Sequence, residues 1–136
     1  MFGSIPGLPH YVVRSLEEDG VARMTTIQRR AVQRIMRGQD FVGVAPTGSG
    51  KTLAFLVPAI VHLEAADRGV VASTTSSVAP LVLVLTPTRE LAIQIESEAT
   101  KLLRHSASGR HDGGLRAVAV YGGTERARQL RWAGSG

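Results

Sequence analysis

Apolar residues along this chain change their period several times, and the changes lay out its elements. Val12, Val13 and Leu16 stand at helical spacing between Pro9 and Glu18, and Asp19-Gly20 stops the run. Thr25 or Thr26 can cap a second helix. Ile27, Ala31 and Ile35 form its expected buried stripe, Arg29, Arg30, Arg34 and Arg37 point elsewhere, and Gly38 ends it. Asp40 to Ala45 is a short apolar run of the kind found in buried strands. A helix is expected over Lys51 to Ala65, with Pro58 inside it to kink or end it. Asp67 to Pro80, rich in Ser, Thr, Val and Ala, has no clear period and reads as a long loop. Leu81 to Leu85 is apolar throughout, as in a strand covered on both faces. A helix follows from Arg89 to Leu103, with Ala92, Ile95, Ala99 and Leu102 as its apolar face. Ser106 to Gly114 reads as a polar loop, Leu115 to Tyr121 as a third strand, Gly122-Gly123 as a sharp turn, and Thr124 to Trp132 as another helix. Strands alternating with helices imply parallel pairing through right-handed crossovers, the α/β class.

The length of 136 residues allows one domain at most. With 43% hydrophobic and 20% charged residues the composition is that of a globular chain, and 4% aromatics make its core aliphatic. There is no cysteine, which excludes disulfides and thiolate metal sites. The longest apolar runs are far shorter than a membrane span, and the N-terminus resembles neither a signal nor a transit peptide. The expectation is a soluble, intracellular protein. Net charge is +5 and rests on arginine, since Lys51 and Lys101 are the only lysines. A basic surface suits a polyanion such as nucleic acid, although it also serves plain solubility.

The chemistry concentrates at Ala45-Pro46-Thr47-Gly48-Ser49-Gly50-Lys51-Thr52. The stretch leads from an apolar strand through a glycine-rich turn into a helix, the order that a phosphate cradle needs. Gly48 and Gly50 permit backbone angles that let several N–H groups converge on one anion. The helix behind adds its positive end. Lys51 supplies a mobile charge for the outer phosphates, and the Thr52 hydroxyl is placed to ligate Mg²⁺. The plain alternative is an ordinary turn with a surface lysine. Pro87-Thr88-Arg89 stands at the C-terminal end of a strand, on the edge where open α/β sheets bind ligands. There a helix start, the Thr88 hydroxyl and the Arg89 guanidinium can face a nucleic-acid phosphate.

Taken together, the cradle, Pro87-Thr88-Arg89-Glu90-Leu91-Ala92 and Tyr121-Gly122-Gly123 make the chain resemble the DEAD-box family of ATP-dependent RNA helicases. Residues 45–52 look like the family's motif I and residues 87–92 like its motif Ia, both without a substitution. Residues 20–28 are similar to its Q motif, except that Met24 stands where the family usually has proline. The resemblance implies an α/β, RecA-like (P-loop) parallel sheet flanked by helices, here an incomplete domain, with ATP and Mg²⁺ as cofactors and RNA as partner. It implies roles for Gln28 in selecting adenine, for Phe2 in stacking on the base, and for Arg23 beside it. The triphosphate falls to Ala45, Thr47, Gly48, Ser49, Gly50 and Lys51, and Mg²⁺ to Thr52, with Lys51 and Thr52 as the catalytic candidates. RNA contacts fall to Pro87, Thr88, Arg89, Gly122 and Gly123. Without the resemblance, Gln28 would read as a surface residue of an amphipathic helix.

No Asp-Glu-Ala-Asp quartet and no Ser-Ala-Thr triplet occurs in these residues. The second RecA-like domain, which supplies the family's arginine finger, is not among them either. Such a finger is worth roughly 10³–10⁵ in rate in related phosphoryl-transfer enzymes. The expectation is therefore a helicase piece that by itself neither hydrolyses ATP nor unwinds RNA. The other reading is a truncated, non-enzymatic RNA- or protein-binding module within a ribonucleoprotein assembly.

Overall fold

Thr25 shows how local chemistry starts the helices. In the computed structural model, which describes residues 1–66, 80–109 and 114–123, its hydroxyl accepts from the Gln28 backbone N–H at 3.4 Å. The Gln28 side chain in turn accepts from the Thr25 N–H at 2.8 Å. This reciprocal capping box satisfies two backbone donors that a helix start leaves open. Among the described residues four helices follow in order: α1 (His10–Glu18), α2 (Thr26–Ile35), α3 (Lys51–Ala65) and α4 (Arg89–Leu103). Short 3-10 turns stand at Phe2–Ser4 and Ser106–Ser108.

Helix α2 packs on α3, α3 on α4, and α4 on α1. The apolar cluster between them joins Val12 and Leu16 of α1, Val32 of α2, Val57 and Ile60 of α3, and Leu102 of α4. Its aliphatic character follows from the scarcity of aromatics, with Phe2 and Tyr11 as the two buried rings among the described residues. Tyr11 donates to the Glu64 carboxylate at 2.8 Å and so links α1 to α3 inside the core. Burial and, after it, the Glu64 partner push the Tyr11 hydroxyl above the usual tyrosine pKa.

One helical expectation is corrected, the inner face of α2; helix α3, by contrast, runs from Lys51 to Ala65 with Pro58 inside it, as expected. Pro58 is fully buried beside Val57 and Ile60, and that apolar contact offsets the lost backbone donor. In α2 the buried face is Gln28, Ala31 and Val32, while Ile27 and Ile35 are half-buried. The face turns because the Gln28 amide finds polar partners inside, which removes the penalty on burying it.

The three expected strand segments carry no assigned strand or bridge among the described residues. Val42 and Val44 are 92% and 94% exposed, and Leu85 is 84% exposed. A strand exists only through ladder hydrogen bonds to a neighbour, so an apolar run predicts it conditionally. Residues 67–79, within the expected loop, and residues 124–132, the expected last helix, lie outside the described residues. Among the described residues no helix is long and apolar enough to cross a membrane.

Candidate nucleotide and nucleic-acid site

The cradle is built by backbone that only glycine adopts readily. Gly48 and Gly50 have φ of 78° and 84°, and Gly50 is the N-cap of α3. At Gly48 an added Cβ would meet none of the described residues within 4 Å, whereas at Gly50 it would collide with the Gln28 amide. The loop is closed by the Ser49 N–H, which donates to the Pro46 carbonyl at 3.3 Å. Lys51 folds back over it and donates to the carbonyls of Ala45 and Pro46 at 2.7 and 2.8 Å. Thr47 is exposed, Ala45 and Thr52 are half-buried.

An anion suits this place for three reasons. Helix α3 presents its open N–H groups there, and no acidic side chain stands in its first turn. The Lys51 side chain reaches back to the loop carbonyls. The Ser49 hydroxyl is buried with no hydrogen-bond partner, a state that a phosphate oxygen would relieve. For a divalent cation the chain offers less. Among the described residues no cluster of three acidic or histidine groups can hold a metal.

Gln28 is brought to the cradle, 2% exposed. Its Nε2 donates to the Gly50 carbonyl at 3.1 Å while its Oε1 serves Thr25. Its amide thus bridges α2 and the loop. Phe2 is not available in the same way: at 2% exposure it belongs to the hydrophobic cluster. In this structure its ring packs against the core, and stacking on a base would require it to leave that contact. Arg23 is exposed ahead of the capping box.

The second group of expected residues gathers at the start of α4. Thr88 is its N-cap, and the Thr88 hydroxyl accepts from the Leu91 N–H at 3.3 Å, keeping its own proton to donate. Pro87, Arg89, Gly122 and Gly123 are exposed, and Gly123 has φ of 83°. Arg89 lies over the Tyr121 ring, 4.6 Å from its centroid. That contact joins the two segments expected to meet nucleic acid. Tyr121 was not among the candidates, and its one signal is an aromatic placed directly before a glycine pair.

Comparison with known proteins bears on the family and the fold. A family model described as DEAD/DEAH box helicase matches residues 25–135. The DEAD-box ATP-dependent RNA helicase 20 of Oryza sativa subsp. japonica is 42% identical over 125 residues, which are 92% of this chain and 23% of that protein. The ATP-dependent RNA helicase dbp2 of Schizosaccharomyces pombe is also 42% identical, over 92% of this chain and 20% of its own length. The chain thus spans between a fifth and a quarter of these relatives. Among solved structures, the RNA helicase Prp28 from Chaetomium thermophilum bound to ADP aligns with a TM-score of 0.69 and 35% identity, over 94% of this chain and 28% of that one. The fold class is therefore the α/β, RecA-like one, although no strand ladder is assigned among the described residues. The chain belongs to the DEAD/DEAH box helicase family.

Proposed function

We propose that this chain binds ATP with Mg²⁺ at the Gly48–Thr52 cradle and RNA at the rim formed by Pro87, Thr88, Arg89, Gly122 and Gly123. In a longer protein of this family those two sites serve ATP-dependent RNA unwinding or remodelling. The observation that supports the reading is the cradle itself, where a left-handed Gly50 N-cap, a buried unpartnered Ser49 hydroxyl and Lys51 stand within one short loop and helix start.

On binding, Lys51 exchanges two carbonyl acceptors for phosphate oxygens, which are stronger partners for an ammonium. The N–H groups of Gly48 to Lys51 and the Ser49 hydroxyl hold the rest of the triphosphate. Thr52 offers its hydroxyl to Mg²⁺, which when bound neutralises phosphate charge. Gln28 meets adenine with whatever amide capacity Thr25 and Gly50 leave unused, and Arg23 flanks the base. At the rim, Thr88 and Arg89 donate to RNA phosphates, contacts that fix position and carry no sequence information. Ser49, Gly50, Lys51 and Thr52 all sit at the start of α3, so one rigid element carries most of the nucleotide grip.

The test is equilibrium binding of a fluorescent ATP analogue to the 136-residue chain, competed with unlabelled ATP or GTP. ATP displaces the probe, GTP does so poorly, and Lys51→Ala abolishes binding while the chain stays folded by circular dichroism. Wild-type affinity in Lys51→Ala overturns the cradle. Equal competition by ATP and GTP removes the adenine role of Gln28.

A further inference from the structure

We infer that Tyr121 is a positioning residue for Arg89, its ring holding the guanidinium at the rim in the orientation that takes an RNA phosphate. The inference rests on the RNA-binding reading above. The Arg89 guanidinium carbon stands 4.6 Å from the centre of the Tyr121 ring, within the range of cation–π attraction. A guanidinium stacked by its face keeps its N–H groups free along the edge, and that edge matches two phosphate oxygens. Arg89 is exposed at the first turn of α4, where an unrestrained side chain would lose its rotamer freedom on meeting a phosphate. Stacked on Tyr121, it has surrendered that freedom in advance.

The surroundings favour this division of labour. Tyr121 is half-buried, so its ring is anchored, and it directly precedes Gly122-Gly123. Among the described residues, an added Cβ at either glycine would meet nothing within 4 Å, which leaves the backbone beside the pair without a described neighbour in its way. The Thr88 hydroxyl, one residue before Arg89, caps α4 and holds that end of the helix in place.

The experiment is a double-mutant cycle of Arg89→Ala and Tyr121→Ala, with Tyr121→Phe as the conservative variant. The readout is fluorescence anisotropy of a labelled oligouridylate with the full chain, Mg²⁺ and a non-hydrolysable ATP analogue, over a series of salt concentrations. Tyr121→Ala is expected to weaken binding about two- to fivefold, the range of an exposed cation–π contact. Tyr121→Phe binds as wild type, because the ring face remains. In the Arg89→Ala background Tyr121→Ala has no further effect. A Tyr121→Ala loss of equal size in both backgrounds overturns the inference, since the ring would then touch RNA itself. So does a Tyr121→Phe variant as weak as Tyr121→Ala. Arg89→Ala that weakens binding while Tyr121→Ala does not overturns the inference and leaves the RNA reading standing. Wild-type binding by Arg89→Ala at every salt concentration overturns both.

Discussion

The Gln28 side-chain amide donates to the Gly50 carbonyl at 3.1 Å, so the start of α2 is fastened to the N-cap of α3. The same carbonyl also accepts from the Ala54 N–H at 3.2 Å, which begins the hydrogen bonding of α3. One buried side chain therefore serves the geometry of two helix starts and of the glycine-rich loop between them.

Gln28→Ala is expected to lower stability by about 1–2 kcal/mol, from a lost cap and a lost buried hydrogen bond. Gln28→Glu does not rescue it. A carboxylate still accepts from Thr25 but sets an oxygen against the Gly50 carbonyl. Urea unfolding of the three proteins checks this, and wild-type stability in Gln28→Glu would show the Gly50 tie to be unimportant.

The two left-handed glycines of the cradle differ in their tolerance of a side chain. Gly48→Ala meets only the backbone penalty, about 1–2 kcal/mol. Gly50→Ala carries that penalty and also displaces the Gln28 amide. The larger loss is expected at Gly50, and it shrinks in a Gln28→Ala background. Thermal melts of the singles and the double measure the coupling.

Stability is expected to fall above pH 10. The folded state raises the Tyr11 pKa over its ordinary value of 10.0, through burial first and Glu64 second. Below the unfolded pKa both states keep the proton and the contribution is complete. Above it the unfolded chain ionises while the folded one resists, so stability drains away as pH rises. Tyr11→Phe removes this dependence and, at neutral pH, costs about 1–3 kcal/mol for the lost hydrogen bond to the buried Glu64 carboxylate. Chemical denaturation between neutral pH and pH 11 tests both parts.

Leu85→Thr is expected to change stability by less than about 0.5 kcal/mol, as an exposed position should. A strand residue buried on both faces would lose several times more. A large loss in urea unfolding would mean that this segment is covered in solution.

The 136-residue chain is expected to release no phosphate from ATP above the buffer rate, with or without RNA. No acidic quartet is present among its residues to orient water. RNA-stimulated turnover that scales with protein concentration, and vanishes in Lys51→Ala, would refute this.

Local pattern was enough to draw the helices. Periodicity and turn residues located α1, α3 and α4, the last from Arg89 to Leu103 as expected, because helix bonds close within four residues and need nothing distant. The cradle was equally readable, since its glycines, lysine and threonine are consecutive and their backbone demands are local. Strands depend on partners elsewhere, which is why three apolar runs promised a ladder that Val42, Val44 and Leu85 do not show. Packing alone decided the pairs that act across the chain: Gln28 with Gly50, Tyr11 with Glu64, and Arg89 with Tyr121. Packing also took Phe2 into the core and turned the inner face of α2 toward Gln28 and Val32. Such contacts arise when helices dock and polar groups must find partners away from water, a constraint that spacing along the chain does not encode.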